Sequence, residues 1–249
     1  MSDAADRLRP LLAEARCIFV FTGAGISTAS GIPDFRSPQG LWSQVKPIQY
    51  QEFVSSEAAR REAWRRKFII DEDMRGALPN RGHRAVHHLV ASGRCPQVVT
   101  QNIDGLHQAS GIAEDRVIEL HGNGTYARCL DCGERHELAP IEAAFKTHGV
   151  LPMCARCGGL VKAATISFGQ AMPERALQAA DAAARQCDLC LVLGSSLVVY
   201  PAAALPQRAR RSGARLVIVN REPTPQDGEA DLVLNVDIGE TLGLALGVD

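Results

Sequence analysis

Short apolar runs punctuate the chain at residues 17–22, 98–100, 117–120, 189–193, 216–219 and 232–234. Their β-branched and aliphatic residues do not alternate with polar ones, which predicts parallel strands buried on both faces. Between several of them the pattern turns helical, over 84–91 and over 173–186, the latter alanine-rich with a proline at its start. Strand alternating with helix predicts an α/β layered sheet. Two stretches break that rhythm: 37–80 is polar, Arg-rich and without strand-like runs, and 128–162 holds cysteine pairs and glycines with little periodicity. Both read as insertions that build a smaller second module. No internal repeat, low-complexity tract or long linker interrupts the pattern.

Composition narrows the class. The 249 residues are 46% apolar, 22% charged and 5% aromatic, a globular profile that excludes disordered and fibrous architectures. Basic and acidic residues number 27 and 28, a formal charge of −1. No chain-wide positive field draws nucleic acid or an anionic membrane, and neither is expected as a direct partner. No apolar run reaches the ~18 to 20 residues of a membrane span. The opening MSDAADRLRP bears acid where a secretory signal has base and then an apolar core. The chain therefore reads as cytoplasmic, with its eight cysteines reduced or metal-bound rather than paired in disulfides. Nothing demands an oligomer, and a monomer is expected.

The candidate chemistry lies at the strand ends. The first strand runs into Gly23, Ala24, Gly25, Ile26 and Ser27. Glycines there let backbone amides approach a pyrophosphate, with a following helix N-terminus adding a favourable dipole, although a plain tight turn would use the same residues. The loop continues through Ser30, Gly31, Ile32, Pro33, Asp34, Phe35 and Arg36. Its guanidinium can reach phosphate or ribose oxygens and its aromatic ring can exclude water. The second strand empties into Gln101, Asn102, Ile103 and Asp104, and the third ends at His121. Polar groups at the carboxyl ends of parallel strands lie where such sheets bind ligands. An imidazole there can act as a base near neutral pH, against the blander reading of a structural histidine. Gly194, Ser195 and Ser196 follow a later strand and Asn220 and Arg221 the next, small and polar groups suited to phosphate, ribose and adenine.

Cys129 and Cys132, with Cys154 and Cys157, form two C-x-x-C pairs, each followed directly by glycine at Gly133 and Gly158. Paired thiolate knuckles supply a tetrahedral zinc site, and a complete four-cysteine set leaves no open position, so the metal is expected to be structural. A further pair, Cys187 and Cys190, lies at the entry of a strand, where buried thiols are expected. His83 and His87 have i, i+4 spacing on a predicted helix. With no accompanying ligand motif they read as surface histidines. The charge run 208–211 reads as a solvated helix face.

Taken together, GAGISTASGIPDFR from Gly23 to Arg36, TQNIDGLH from Thr100 to His107, ELHG from Glu119 to Gly122, the four cysteines, SFGQ from Ser167 to Gln170 and GSSLVVYPAA from Gly194 to Ala203 resemble the sirtuins. These are the silent information regulator class of NAD-dependent protein lysine deacylases. The resemblance implies a Rossmann-like parallel-sheet domain over 1–36, 81–124 and 165–249. A helical insertion at 37–80 and a four-cysteine zinc ribbon at 125–164 would form the small domain, with NAD and an acylated lysine meeting in the cleft between. It also implies that NAD is consumed: the acyl oxygen attacks the nicotinamide ribose as nicotinamide leaves, an imidate forms, and the acyl group ends on ADP-ribose.

By matched position His121 would be the general base, and Asn102 and Asp104 would order ribose, water and the nicotinamide amide. Phe35 would shield the reactive ribose carbon. Gly23, Ala24, Gly25, Ser27, Pro33, Asp34, Arg36, Gln101, Ile103, Gly194, Ser195, Ser196, Asn220, Arg221 and Ile238 would hold the dinucleotide, with Asp237 nearby. An acyl-lysine protein or peptide would add as a strand between Phe168 and Gly169 on one side and Leu197 and Val198 on the other.

Two departures bear on substrate. Many relatives read FGE and GTS where this chain has Phe168, Gly169, Gln170 and Gly194, Ser195, Ser196. Relatives that prefer succinyl or malonyl lysine carry a Tyr and an Arg three apart in the helical insertion. No tyrosine here, at Tyr50, Tyr126 or Tyr200, has that partner, and Trp64, Arg65 and Arg66 occupy roughly the region. Uncharged acyl groups such as acetyl are expected. Three rivals remain: protein ADP-ribosylation, a non-catalytic NAD and zinc module, and a dehydrogenase. The last would place an acidic residue about 20 positions beyond the glycine loop at a strand end, where this chain reads Gly40, Leu41, Trp42, Ser43.

Overall fold

The computed structural model describes residues 2–33 and 46–249. Six parallel strands form the main sheet: β1 Ile18–Thr22, β2 Val98–Thr100, β3 Val117–Glu119, β7 Leu189–Leu193, β8 Arg215–Val219 and β9 Leu232–Leu234, in the order β3-β2-β1-β7-β8-β9. All six expected runs become strands, shifted by a residue at 17, 120 and 216, where the ladder begins or ends. β1 is the centre, pairing Val20 with Val98 on one side and with Leu191 on the other. The chain winds outward from β1 in one direction, then returns to its other edge through β7. That reversal is the point where open α/β sheets leave a crevice at their carboxyl ends.

Successive side chains point to opposite faces of a strand, and both faces are covered. Ile18 and Val20 pack with Leu191, Leu193, Val217 and Val219 beneath α1 Ser2–Glu14, α4 Arg81–Ala91 and α9 Ile238–Leu246. Phe19 and Phe21 pack on the other face with Val192 and Ile218 under α7 Glu174–Gln186 and α8 Ala204–Arg211. Helix α7 starts after Pro173 and presents Ala180 and Ala184, one turn apart and fully buried, to the sheet. The helix α4 begins at Asn80, whose side chain accepts the amides of Gly82 and His83, satisfying two donors that a helix start leaves open. Cys187 and Cys190 sit buried in this second apolar layer, as expected. The 208–211 run lies on α8, where Arg208 pairs with Asp181 and Arg210 with Asp231 on the surface.

The two irregular stretches build a separate layer. The first contains α2 Tyr50–Ser55 and α3 Glu57–Asp73; the second is a three-stranded antiparallel sheet of β4 Gly122–Cys129, β5 Arg135–Glu137 and β6 Val161–Thr165, with α6 Leu138–His148. Trp64 and Phe68 of α3 pack with Ala127, Cys129, Cys154 and Val161 in a small core, ringed by Leu138, Ile141 and Phe145. Strands β4 and β6 give this stretch more regular structure than its sequence pattern implied, pairing antiparallel from Ala127–Ala163 to Cys129–Val161 with a register shift between Gly122 and Ala127. No helix among the described residues is long and apolar enough to cross a membrane.

Candidate active site

The carboxyl ends of the parallel strands open into a cleft of about 1740 Å³ between the main sheet and the smaller layer. Its walls bring together Gly23, Ala24, Gly25, Gln101, Asn102, Ile103, Asp104, His121, Phe168, Gly169, Gly194, Ser195, Ser196, Val198, Asn220, Arg221 and Ile238. Asp34, Phe35 and Arg36 lie outside the described residues. Ser27, Pro33 and Leu197 are not among the walls.

The glycine loop works differently from expectation. The Gly23 amide donates to Leu193 O at 3.0 Å and the Gly25 amide to Gly194 O at 2.9 Å, so neither points at a pyrophosphate. A Cβ on Gly23 would sit 2.6 Å from Gly194 O, and one on Gly25 2.7 Å from Gly194 Cα. These glycines let the β1 and β7 loops cross at backbone contact. The expected helix N-terminus is likewise replaced by two single 3-10 turns, Ala24–Ile26 and Thr28–Ser30, too short to build an α-helical end charge. What the loop offers the cleft is a smooth floor of small residues at the sheet's reversal.

His121 follows β3, and its Nδ1 lies 3.1 Å from the Gln101 carbonyl. A carbonyl only accepts, so Nδ1 carries the proton and Nε2 is the basic nitrogen of the neutral ring. The Gln101 side chain donates to Ser195 Oγ at 2.8 Å, joining two strand ends across the crevice. At the far end Arg221 pairs with Asp237 at 2.9 Å, while Asp237 also caps α9 through the Glu240 amide.

Behind the walls lies a polar network. Asn102 donates to Gly23 O at 3.1 Å and to Ser27 Oγ at 3.2 Å, and Ser27 Oγ donates to Asp104 Oδ2 at 2.7 Å. The second Asp104 oxygen accepts the Leu106 amide at 2.9 Å, at the start of the short helix α5 Leu106–Ala109. Ser27 is fully buried, so it supports Asn102 and Asp104 from beneath instead of facing a ligand. His83 also joins this network. The surface position expected for it is wrong: the ring is fully buried against Ser27 and packs edge-on to buried His107, because the α4 face that carries Val86 and Leu89 also turns His83 inward. Burial pushes the imidazole of His83 down to about 4 and that of His107 to about 3, so both are neutral near pH 7.

Two further polar side chains differ in how the sequence marked them: Glu119 opens the ELHG string, and Lys162 belongs to no motif. Half-buried Glu119 accepts from Gln108 at 2.7 Å and Asn123 at 2.6 Å, and burial raises its carboxyl above the usual range. Buried Lys162 lines the cleft and donates to Ala163 O and Thr165 O, its amine pushed down to about 8 by desolvation. A lone lysine on a short strand gives no sequence signal of burial.

At the lips of the cleft, Phe168 is 40% exposed and Val198 45%. Leu197 is different: its side chain is buried in the sheet's second apolar layer while its backbone takes φ +55. Only its main chain could meet a peptide.

The four cysteines do come together. Their sulfur atoms all lie within 4.8 Å of one another, with Cys129 and Cys157 at 3.5 Å and Cys132 and Cys154 at 3.7 Å. A tetrahedron with Zn–S of about 2.3 Å has edges of about 3.8 Å, so the donor set fits zinc. Gly133 and Gly158, at φ +74 and +73, let each knuckle turn back on its first cysteine, their amides donating to Cys129 O and Cys154 O.

The family model described as Sir2 family matches residues 23–201. The chain belongs to the Sir2 family. This Sir2 chain is 55% identical to the NAD-dependent protein deacetylase 1 of Bradyrhizobium diazoefficiens, over 99% of its own length and 97% of that protein. It is 54% identical to the NAD-dependent protein deacetylase of Rhodopseudomonas palustris, over 99% and 98%. Among solved structures, a Sir2 with a p53 peptide and NAD+ superposes with a TM-score of 0.84 at 38% identity, over 95% of this chain and 94% of the other. A Sir2 bound to a propionylated peptide gives the same TM-score, identity and coverage. The Sir2 fold thus accounts for both layers, the main sheet with its crevice and the cysteine-bearing module beside it.

Proposed function

We propose that this chain is an NAD-dependent protein lysine deacylase, acting on acyl-lysine proteins or peptides. One NAD and one water are consumed per acyl group: nicotinamide leaves the ribose carbon as the acyl oxygen bonds to it, water adds to the acyl carbon, and the lysine amine departs to leave the acyl group on ADP-ribose. The observation that carries the reading is the His121 tautomer. With Nδ1–H committed to Gln101 O, Nε2 is the atom that takes a proton, at a strand end shared with Asn102 and Asp104 in one cleft.

When bound, NAD supplies an electrophilic ribose carbon and a leaving nicotinamide. His121 Nε2 would accept a proton from a ribose hydroxyl of the bound dinucleotide, as a general base at that strand end. Asn102 and Asp104, held from beneath by Ser27, order polar groups over the reacting carbon. The small-residue floor at Gly23, Ala24, Gly25 and Gly194, with Gln101, Ile103, Ser195 and Ser196, takes the phosphates and riboses. Asn220, Arg221 and Ile238 take the adenosine end. The acyl-lysine enters between Phe168 and Gly169 and the Leu197–Val198 backbone. Zinc, held by Cys129, Cys132, Cys154 and Cys157, fixes the ribbon and takes no part in the chemistry, since four thiolates close its coordination.

The reading includes uncharged acyl groups, a cytoplasmic location, and a division into 1–36, 81–124 and 165–249 against 37–80 and 125–164. Two of those boundaries, 124/125 and 164/165, fall inside β4 and β6, the strands by which the chain passes from the main sheet into the ribbon and back.

Mass spectrometry of the protein with an acetyl-lysine peptide, with and without NAD, tests the activity. One nicotinamide and one acetylated ADP-ribose per lysine freed is the expected result. NAD consumed with the acetyl group left in place would favour ADP-ribosylation, and desuccinylation faster than deacetylation would overturn the acyl preference. His121→Ala should lower acyl transfer at least ~100-fold while NAD affinity stays within a few fold.

A further inference from the structure

We infer that His83 is a positioning residue that sets the direction of the Ser27 hydroxyl and, through it, the orientation of Asp104. The inference rests on the reading of Asn102 and Asp104 as site residues. His83 itself does not line the cleft.

The argument is one of hydrogen-bond supply. The Asn80 backbone amide points at His83 Nδ1, 3.3 Å away. An amide N–H only donates, so Nδ1 is the bare nitrogen and Nε2 carries the hydrogen. That N–H faces Ser27 Oγ at 3.4 Å, a long contact. Ser27 Oγ also receives the Asn102 side-chain amide at 3.2 Å. A hydroxyl oxygen has two lone pairs and one proton. With both lone pairs met by donors, the Ser27 proton has one direction left, toward Asp104 Oδ2 at 2.7 Å.

The Leu106 amide holds the other oxygen, so the carboxylate is gripped from two sides. Removing the His83 donor frees the hydroxyl to turn and loosens the grip on one of them. His107 holds the ring plane: its ring meets His83 edge-on with centroids 5.2 Å apart, and its own Nε2 is tied to Thr22 Oγ1 at 2.9 Å. Burial keeps His83 neutral at working pH, which preserves the one-donor, one-acceptor pattern that the relay needs.

A double-mutant cycle tests this. Rates of peptide deacetylation against NAD concentration, NAD affinity by calorimetry and melting temperature are measured for wild type, His83→Ala, Ser27→Ala and the double variant. His83→Ala should lower kcat/KM for NAD roughly tenfold, with peptide KM unchanged. The double variant should be no worse than Ser27→Ala within about twofold, because the histidine acts through the serine. Losses that multiply in the double variant, or that follow the melting temperature alone, would overturn the role.

If His83→Ala does not fold, His83→Gln, which retains an N–H donor, is compared with His83→Leu, which does not. Gln should keep several times the activity of Leu at similar melting temperature; equal losses would overturn the inference. A wild-type chain that bound NAD without removing acetyl groups would sink the functional reading, yet the calorimetric cycle would still decide His83. Coupling of the two variants in NAD affinity would uphold the role, and independence would reject it.

Discussion

The main sheet and the cysteine module hold together by different physics. In the sheet, all five residues of β1 and of β7 are buried, and two apolar layers cover its faces. Burial of this kind, at ~25 cal/mol per Å² of apolar surface, sustains a fold without a ligand. Among the described residues the module instead buries six in its core, two of them Cys129 and Cys154 of the four-cysteine set. So small a core does not stand alone, and a bound metal makes up the difference. The cleft lies between a part that is rigid by packing and a part that is rigid by coordination.

Stripping the metal should break the comparison most visibly, since structural zinc contributes on the order of 10 kcal/mol in small domains. Chelation, or Cys129→Ser, should expose Trp64 and shift its fluorescence to the red, while amide protection in β1, β7 and β8 persists in hydrogen exchange. Loss of protection in both regions together would show that the two are one cooperative unit. Next in size, Leu191→Ala should cost about 2–5 kcal/mol, read as a lower denaturant midpoint with zinc content unchanged, because Leu191 is fully buried at the sheet's centre.

Acid should act on the sheet side as well, through His83 and His107. Their folded values lie at about 4 and about 3, below the ordinary 6.5, with burial as the main cause. The unfolded chain therefore binds protons first as pH falls. The stability these two neutral rings confer is complete above 6.5 and declines as pH drops toward 4 and 3, by up to about 1.4 kcal/mol per pH unit for each ring. Urea titrations at pH 7 and pH 5 measure that slope, and an unchanged midpoint would contradict it. The smallest effect belongs to the surface: Arg208→Ala removes a half-exposed pair with Asp181 and should shift stability by less than about 1 kcal/mol.

Much of this architecture was legible from local pattern. Unbroken apolar runs mark strands covered on both faces, since no solvent-facing side chain interrupts them. Two C-x-x-C pairs with trailing glycines mark a metal site, because both sulfurs of a knuckle come from one tight turn. The glycine loop and the polar strand ends were readable as a site for the same reason: each lies directly after a strand.

Residues whose role depends on a distant partner were not readable. His83 meets Ser27 across 56 positions, and its helical pattern alone does not tell a surface ring from one sealed beneath the cleft. Gly23 and Gly25 look like a phosphate loop, but contact with Gly194 shows that they serve the crossing of two backbones. Lys162 is one lysine among others until two carbonyls and a buried strand enclose it. Chain pattern determined which segments become strands and which sulfurs share a metal site, because these follow from neighbours in sequence. Tertiary structure alone decided the His121 tautomer, the burial of Ser27 and His83 and the closeness of the loops, because hydrogen-bond direction and desolvation are set by atoms that only folding brings together.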